Sequence, residues 1–136
     1  MKAKTLLRTA SILMLLHAAG HTVGALTWKE APNARVATVI AGMQTEHFMF
    51  MGKSLTLASF FEGYGFGMIG VLLLISILLW LLSTAVNRSI VLVMGIFLIG
   101  FGINELIFFF PFAAAFSLLA GLTTLFAYQR EKFNRS

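Results

Sequence analysis

The chain has 136 residues, of which 59% are hydrophobic and only 11% are charged. Soluble domains average about 45–50% apolar and about 25% charged residues, so this chain has too little polar surface for a water-soluble globule. Its formal net charge is +5, but the basic residues stand at the chain ends and in short connections. We therefore exclude a nucleic-acid partner and predict that the lipid bilayer surrounds the protein. Cysteine is absent, which excludes thiol chemistry, and no motif implies a cofactor.

A first membrane span is predicted over about residues 6–27, after a basic start. Roughly 20 apolar residues rising 1.5 Å each cross the ~30 Å hydrocarbon layer. The basic start, the apolar run and Val23-Gly24-Ala25 also fit a cleavable signal peptide. Two histidines interrupt the run, however, and they suit helix packing better than a signal sequence. We favour a retained helix, with cleavage as the alternative.

Those histidines belong to a stripe, because His17, Gly20, His21 and Gly24 follow one another at spacings of three and four residues. Residues at these spacings share one helix face. Ionisable groups inside a lipid-length segment are costly and face protein or a cavity. The stripe is therefore predicted to be a surface against which other helices pack.

The connection over residues 28–54 is the longest polar segment. Pro32-Asn33 offers a helix start, and apolar residues then recur at helical spacing as far as His47 and Phe50. This pattern predicts an amphipathic helix lying on the membrane surface.

Three more spans are predicted, over about residues 55–83, 89–109 and 111–128. Gly63 and Gly67 form a small-xxx-small pair that allows close helix approach. Pro111 divides the last two spans, since proline suits the first turn of a helix. The fold class is therefore all-α integral membrane, with four transmembrane helices in a bundle. Residues 1–136 are expected to form one domain.

The distribution of positive charge predicts the orientation. Placing both termini in the cytoplasm leaves seven basic residues inside and three outside. The inner set is Lys2, Lys4, Arg8, Arg88, Arg130, Lys132 and Arg135, and the outer set is Lys29, Arg35 and Lys53.

This topology brings ionisable groups from three spans to a similar depth. At 1.5 Å per residue, His21, Glu62 and Glu105 each lie about 8 Å from the outer end of their span. The third span has Gly95, Gly102 and Glu105 on one face. The fourth offers a small or hydroxylated face made of Ser117, Gly121, Thr124 and Tyr128.

From this shared depth we hypothesise a polar pocket in the outer half of the bundle, which would bind a small lipophilic ligand. Its expected lining is His17, His21, Glu62, Tyr64, Asn104 and Glu105, with Glu46 and His47 at the mouth. If the protein is an enzyme, His17, His21, Glu62 and Glu105 are the candidate catalytic residues for acid–base chemistry, in which a histidine and a desolvated carboxylate exchange a proton.

Several alternatives stay open. The His/Glu network can be purely structural and hold the bundle together or support a protein partner. Glu105 can instead lie in a solvated outer turn if its helix ends at Gly102. His17 and His21, four residues apart, are a weak candidate pair for a metal ion. An oligomer through the glycine faces is possible but less favoured than internal packing.

Three stretches also resemble a known family: His21-Thr-Val-Gly24, then Phe48-Met-Phe-Met-Gly-Lys-Ser54, then Phe61-Glu-Gly-Tyr-Gly-Phe-Gly67. They are similar to an uncharacterised family of small bacterial four-span membrane proteins, catalogued under the locus name of a Leptospira protein. The resemblance covers about the first half of the chain. It implies a multi-pass protein of the bacterial inner membrane, and it transfers no catalytic residue.

Overall fold

The computed structural model describes residues 2–133, and their side chains as far as residue 130. Four of its helices are long and apolar enough to cross a membrane. The elements in order are α1 (Ala3–Thr27), α2 (Ala34–Thr45), β1 (His47–Phe50), β2 (Lys53–Thr56), α3 (Leu57–Leu82), α4 (Arg88–Phe108) and α5 (Pro111–Phe133). The predicted four-span helical fold is confirmed, and each span agrees with its helix to within a few residues.

The helix starts follow from local chemistry. Asn33 caps α2, because its side chain accepts a hydrogen bond from the backbone N–H of Val36 at 3.0 Å. Asn87 caps α4 in the same way, through the N–H of Ile90 at 3.3 Å. An amide oxygen at this position satisfies one of the free N–H groups of the first turn. Pro111 is the first residue of α5, where its missing N–H costs nothing.

A β-hairpin follows α2, and it corrects the predicted amphipathic helix, which was to continue through His47 and Phe50. Strand β1 pairs antiparallel with β2, with His47 opposite Thr56. The two residues between the strands, Met51 and Gly52, have positive φ angles of 49° and 82°. Two such residues in succession form the tight turn that matches the twist of paired strands. The helical spacing of the apolar residues holds only to the end of α2.

Contacts among the described residues form two compact units, one of residues 2–20 with 71–133 and one of residues 21–70. We call them the first and second unit. In the first unit, α4 and α5 pack closely. A Cβ added at Gly102 would lie 3.0 Å from the backbone N of Leu118, and one at Gly121 would lie 2.9 Å from that of Ile99. Only glycine allows these backbones to approach so closely.

This packing confirms the two inward faces predicted for the last two spans. Gly95, Gly102 and Glu105 are all buried on α4. On α5, Ser117 and Thr124 are completely buried. Glu105 therefore lies within a helix, and the alternative that placed it in a solvated outer turn is wrong.

The first unit also joins α1 to α3 through two serines. The Ser11 hydroxyl donates to the backbone oxygen of Ser76 at 2.7 Å, and the Ser76 hydroxyl donates to that of Ser11 at 2.9 Å. Both side chains are buried. Reciprocal serine bonds of this kind bring two helices together where lipid offers no alternative partner.

The glycines that were expected to pack are open instead. No atom lies within 4 Å of a Cβ added at Gly20, Gly24, Gly63 or Gly67. Within the second unit, the close approach occurs at Gly65, where an added Cβ would lie 3.5 Å from Ala25 Cβ. Spacing alone identified a small-residue face, but it did not identify Gly65 as the glycine that is approached.

Candidate functional site

Three buried polar side chains meet in the first unit, one from each of α1, α4 and α5. The Nε2 atom of His17 lies 3.2 Å from Oε1 of Glu105. Its Nδ1 atom lies 3.2 Å from Oγ of Ser117. His17 and Glu105 are each 5% exposed and Ser117 is not exposed at all. We call His17, Glu105 and Ser117 the buried cluster.

Aromatic rings enclose the histidine of this cluster. The ring centroid of Phe116 lies 5.9 Å from that of His17, and that of Phe101 lies 6.4 Å away. Phe101 belongs to α4 and Phe116 to α5, so the two helices that supply the polar partners also supply the apolar walls. An ion pair in such surroundings is screened far less than one in water.

Both ring nitrogens of His17 contact other members of the cluster. A neutral imidazole has one N–H donor and one acceptor nitrogen, while a protonated one has two donors. The Ser117 hydroxyl can donate or accept, so it can match either state of His17 Nδ1. The order serine–histidine–carboxylate is also the order of a hydrolytic triad. Ser117 is fully buried, however, so a carbonyl substrate has no path to its hydroxyl in this structure.

One atom of the cluster has no hydrogen-bond partner. Oε2 of Glu105 is buried and unpaired. Leaving a buried acceptor without a donor costs about 1–3 kcal/mol. A proton on the carboxyl group or a donor from a bound molecule would remove this cost.

The other two ionisable residues of the expected pocket have partners of their own in the second unit. His21 Nε2 donates to the backbone oxygen of Gly65 at 3.1 Å. Glu62 Oε1 lies 2.7 Å from Nζ of Lys29, in an ion pair whose side chains are 35% and 51% exposed. The structure thus brings His17 and Glu105 together, and it gives His21 and Glu62 separate partners.

The remaining candidates are exposed side chains. Tyr64 is 75% exposed, and Asn104, Glu46 and His47 are exposed as well. Tyr64 borders an open groove of about 330 Å³ in the second unit, lined also by Leu55, Ser59, Phe60 and Gly63. The lining of this groove is mostly apolar, and it includes none of His17, His21, Glu62 and Glu105. Ligand binding by the predicted residues stays a prediction.

Among the described side chains, no three His, Cys, Asp or Glu residues come close enough together to hold a metal ion. The two histidines of the candidate pair use ring nitrogens for other partners, His17 for Glu105 and His21 for Gly65.

Two members of these pairings were not predicted as site residues. Ser117 stood on the predicted inward face of the last span, but nothing in the sequence marked it as the partner of His17, 100 residues away. Lys29 was assigned to the outer connection, and its pairing with Glu62 depends on how the chain folds back. In both cases the sequence showed a suitable chemical group without its partner.

Comparison with known proteins adds no relative. No family model, no curated protein and no solved structure matches this chain.

Proposed function

We propose that this membrane protein is a structural or partner-binding component of the bilayer, and that the buried cluster locks α1 to the α4–α5 pair. One observation carries the proposal. Three nearly inaccessible polar side chains from three helices take one another as partners. Hydrocarbon offers these polar groups no hydrogen-bonding partners. Separating the helices would therefore cost the free energy of exposing unpaired polar groups to lipid.

Substitution of His17 tests this role. Removing one member of a buried ion pair leaves its partner uncompensated, which typically costs about 3–5 kcal/mol. We expect His17→Ala to lower the unfolding free energy in detergent by about 3 kcal/mol. The matched control, Glu62→Gln, breaks an exposed pair and is expected to cost about 0–1 kcal/mol. Equal stability of His17→Ala and the unmodified protein would reject the structural role.

A second candidate function rests on the unpaired Oε2 of Glu105. In this alternative, the helices part to admit a small lipophilic ligand, which donates a hydrogen bond to that buried atom and occupies the outer half of the bundle. Mass spectrometry of the protein released from native membranes tests it directly. Binding predicts a stoichiometric small molecule on the unmodified protein that is lost from Glu105→Leu. Absence of any such molecule from the unmodified protein would remove this candidate.

We also propose that the chain belongs to the small bacterial four-span family and lies in the inner membrane with both termini in the cytoplasm. The excess of basic residues at one set of helix ends supports this orientation. Because the chain has no cysteine, single introduced cysteines report on sidedness cleanly. Thr38→Cys on α2 should react with an impermeant reagent added to intact spheroplasts, whereas Thr84→Cys should react only after permeabilisation. The opposite pattern would invert the topology.

A further inference from the structure

Two arginines of the first unit have their guanidinium groups over aromatic rings near the turn that joins α3 to α4. The guanidinium carbon of Arg8 lies 4.6 Å from the ring centroid of Trp80, and its Nε donates to Ser83 Oγ at 3.4 Å. The guanidinium carbon of Arg88 lies 5.0 Å from the ring centroid of Tyr128. A guanidinium group over a ring face is attracted by the ring electrons, and its N–H groups can still donate to an acceptor beside the ring.

Neither arginine is neutralised by a carboxylate in the part of the chain that the structure describes. The ion pairs there are His17–Glu105 and Lys29–Glu62. In addition, Nε of Arg88 is buried without a hydrogen-bond acceptor. Two cations that no described carboxylate neutralises therefore lie at the two ends of the α3–α4 connection, because Arg8 contacts Ser83 and Arg88 follows five residues later.

The same connection forms the wall of an apolar groove. The groove has a volume of about 310 Å³, and its lining includes Leu78, Leu82, Ala85, Ile90 and Met94. Asn87 is the polar residue of the lining. The groove extends from the last turns of α3 to the first two turns of α4, and it includes Ala85 and Asn87 of the connection that separates Ser83 from Arg88.

We propose that this region binds an anionic phospholipid, with its phosphate at Arg8 and Arg88 and an acyl chain along the groove. A phosphodiester offers acceptor oxygens only, and arginine donors match them in geometry and charge. Basic sites between transmembrane helices are suited to anionic headgroups for the same reason. The groove distinguishes a phospholipid from free phosphate, because only the lipid has a chain to fill it.

Native mass spectrometry of the purified full-length protein tests the site, with phosphatidylglycerol and phosphatidylcholine of identical acyl chains offered at equal concentration. We expect the unmodified protein to retain phosphatidylglycerol preferentially. Each arginine should contribute about fivefold to this preference, so the Arg8→Gln/Arg88→Gln variant should lose most of it. The matched control is Arg35→Gln/Lys53→Gln, which removes the same charge from the second unit and should keep the preference.

A third variant tests the groove independently, in case the double arginine variant does not fold. Ala85 is exposed and lines the groove, so Ala85→Trp should fold and fill the space while both arginines remain. It should reduce phosphatidylglycerol retention severalfold. Equal retention of the two lipids by the unmodified protein, full retention by Ala85→Trp, or an equal loss in the control would each overturn the proposal. Displacement of the lipid by an equimolar amount of inorganic phosphate would also overturn it, since the site would then recognise phosphate alone.

Discussion

The two units of this protein each pair a glutamate with a basic side chain, but in opposite surroundings. In the first unit, Glu105 and His17 have side chains that are 7% and 5% exposed, and aromatic rings enclose the pair. In the second unit, Glu62 is 35% exposed and its partner Lys29 is 51% exposed. The exposed pair has the shorter separation, 2.7 Å against 3.2 Å, so distance alone would rank the two pairs wrongly.

From this difference in burial we expect the two pairs to contribute unequally to the free energy of unfolding. A lysine at the surface keeps its hydration when the contact breaks, and such pairs contribute about 0–1 kcal/mol. A buried histidine or glutamate that loses its partner has no water to replace that partner. The free energy of unfolding therefore falls several times more than it does for an exposed pair. The glycines show a similar contrast, since Gly95, Gly102 and Gly121 are tightly packed whereas Gly63 and Gly67 are open.

The largest effect is expected where two backbones meet. Gly121→Leu would place a Cβ 2.9 Å from the backbone N of Ile99, so α4 and α5 would have to separate. We expect a loss of about 3 kcal/mol or more, seen as aggregation or early unfolding in detergent. Gly67→Leu is the matched control, because nothing lies within 4 Å of a Cβ there. Similar behaviour of the two variants would mean that the close packing of α4 on α5 is not needed.

A smaller effect is expected for the serine pair that joins α1 to α3. Ser11→Ala removes one of two reciprocal hydrogen bonds and leaves the Ser76 hydroxyl its bond to the backbone oxygen of residue 11. Interhelical hydrogen bonds in membranes contribute about 0.6 kcal/mol on average. The double variant Ser11→Ala/Ser76→Ala should cost about twice as much as either single variant by thermal unfolding. Ser89, an exposed serine in the first turn of α4, offers the control substitution Ser89→Ala.

Removal of the N-cap of α2 should destabilise only that helix. Asn33→Ala removes the acceptor for the N–H of Val36, a loss that costs roughly 1 kcal/mol of helix stability. Since α2 contains no buried residue, the helix should fray without unfolding the spans. Faster amide hydrogen exchange confined to α2 would verify this, and a lower midpoint for the whole protein would contradict it.

A small, salt-dependent effect is expected at the exposed pair. Lys29→Gln should lower stability by less than about 1 kcal/mol. The loss should shrink further as salt is added, because exposed charges are screened. A loss as large as that of His17→Ala, persisting at high salt, would show that the two pairs do not differ as their burial indicates.

Most of the fold could be predicted from the sequence, because lipid-length apolar runs and a divider such as Pro111 leave few alternatives. The inward faces of the last two spans could also be predicted, since helix geometry fixes which residues lie on the same face. The β-hairpin was not, because the positive φ of Met51 is a property of the turn rather than of the residue type. The site was only partly predictable. The histidine and glutamate were evident as costly groups, but their pairing across three helices depends on packing that no local pattern encodes.

A double-mutant cycle on His17 and Glu105 tests most directly whether the buried cluster holds the first unit together. Unfolding free energies would be measured in detergent for His17→Ala, Glu105→Ala and the double variant, beside the same cycle for Lys29 and Glu62. We predict a coupling energy of about 2–3 kcal/mol for the buried pair and below about 1 kcal/mol for the exposed pair. A buried-pair coupling near zero, or no larger than that of Lys29 and Glu62, would contradict the structural role of the cluster.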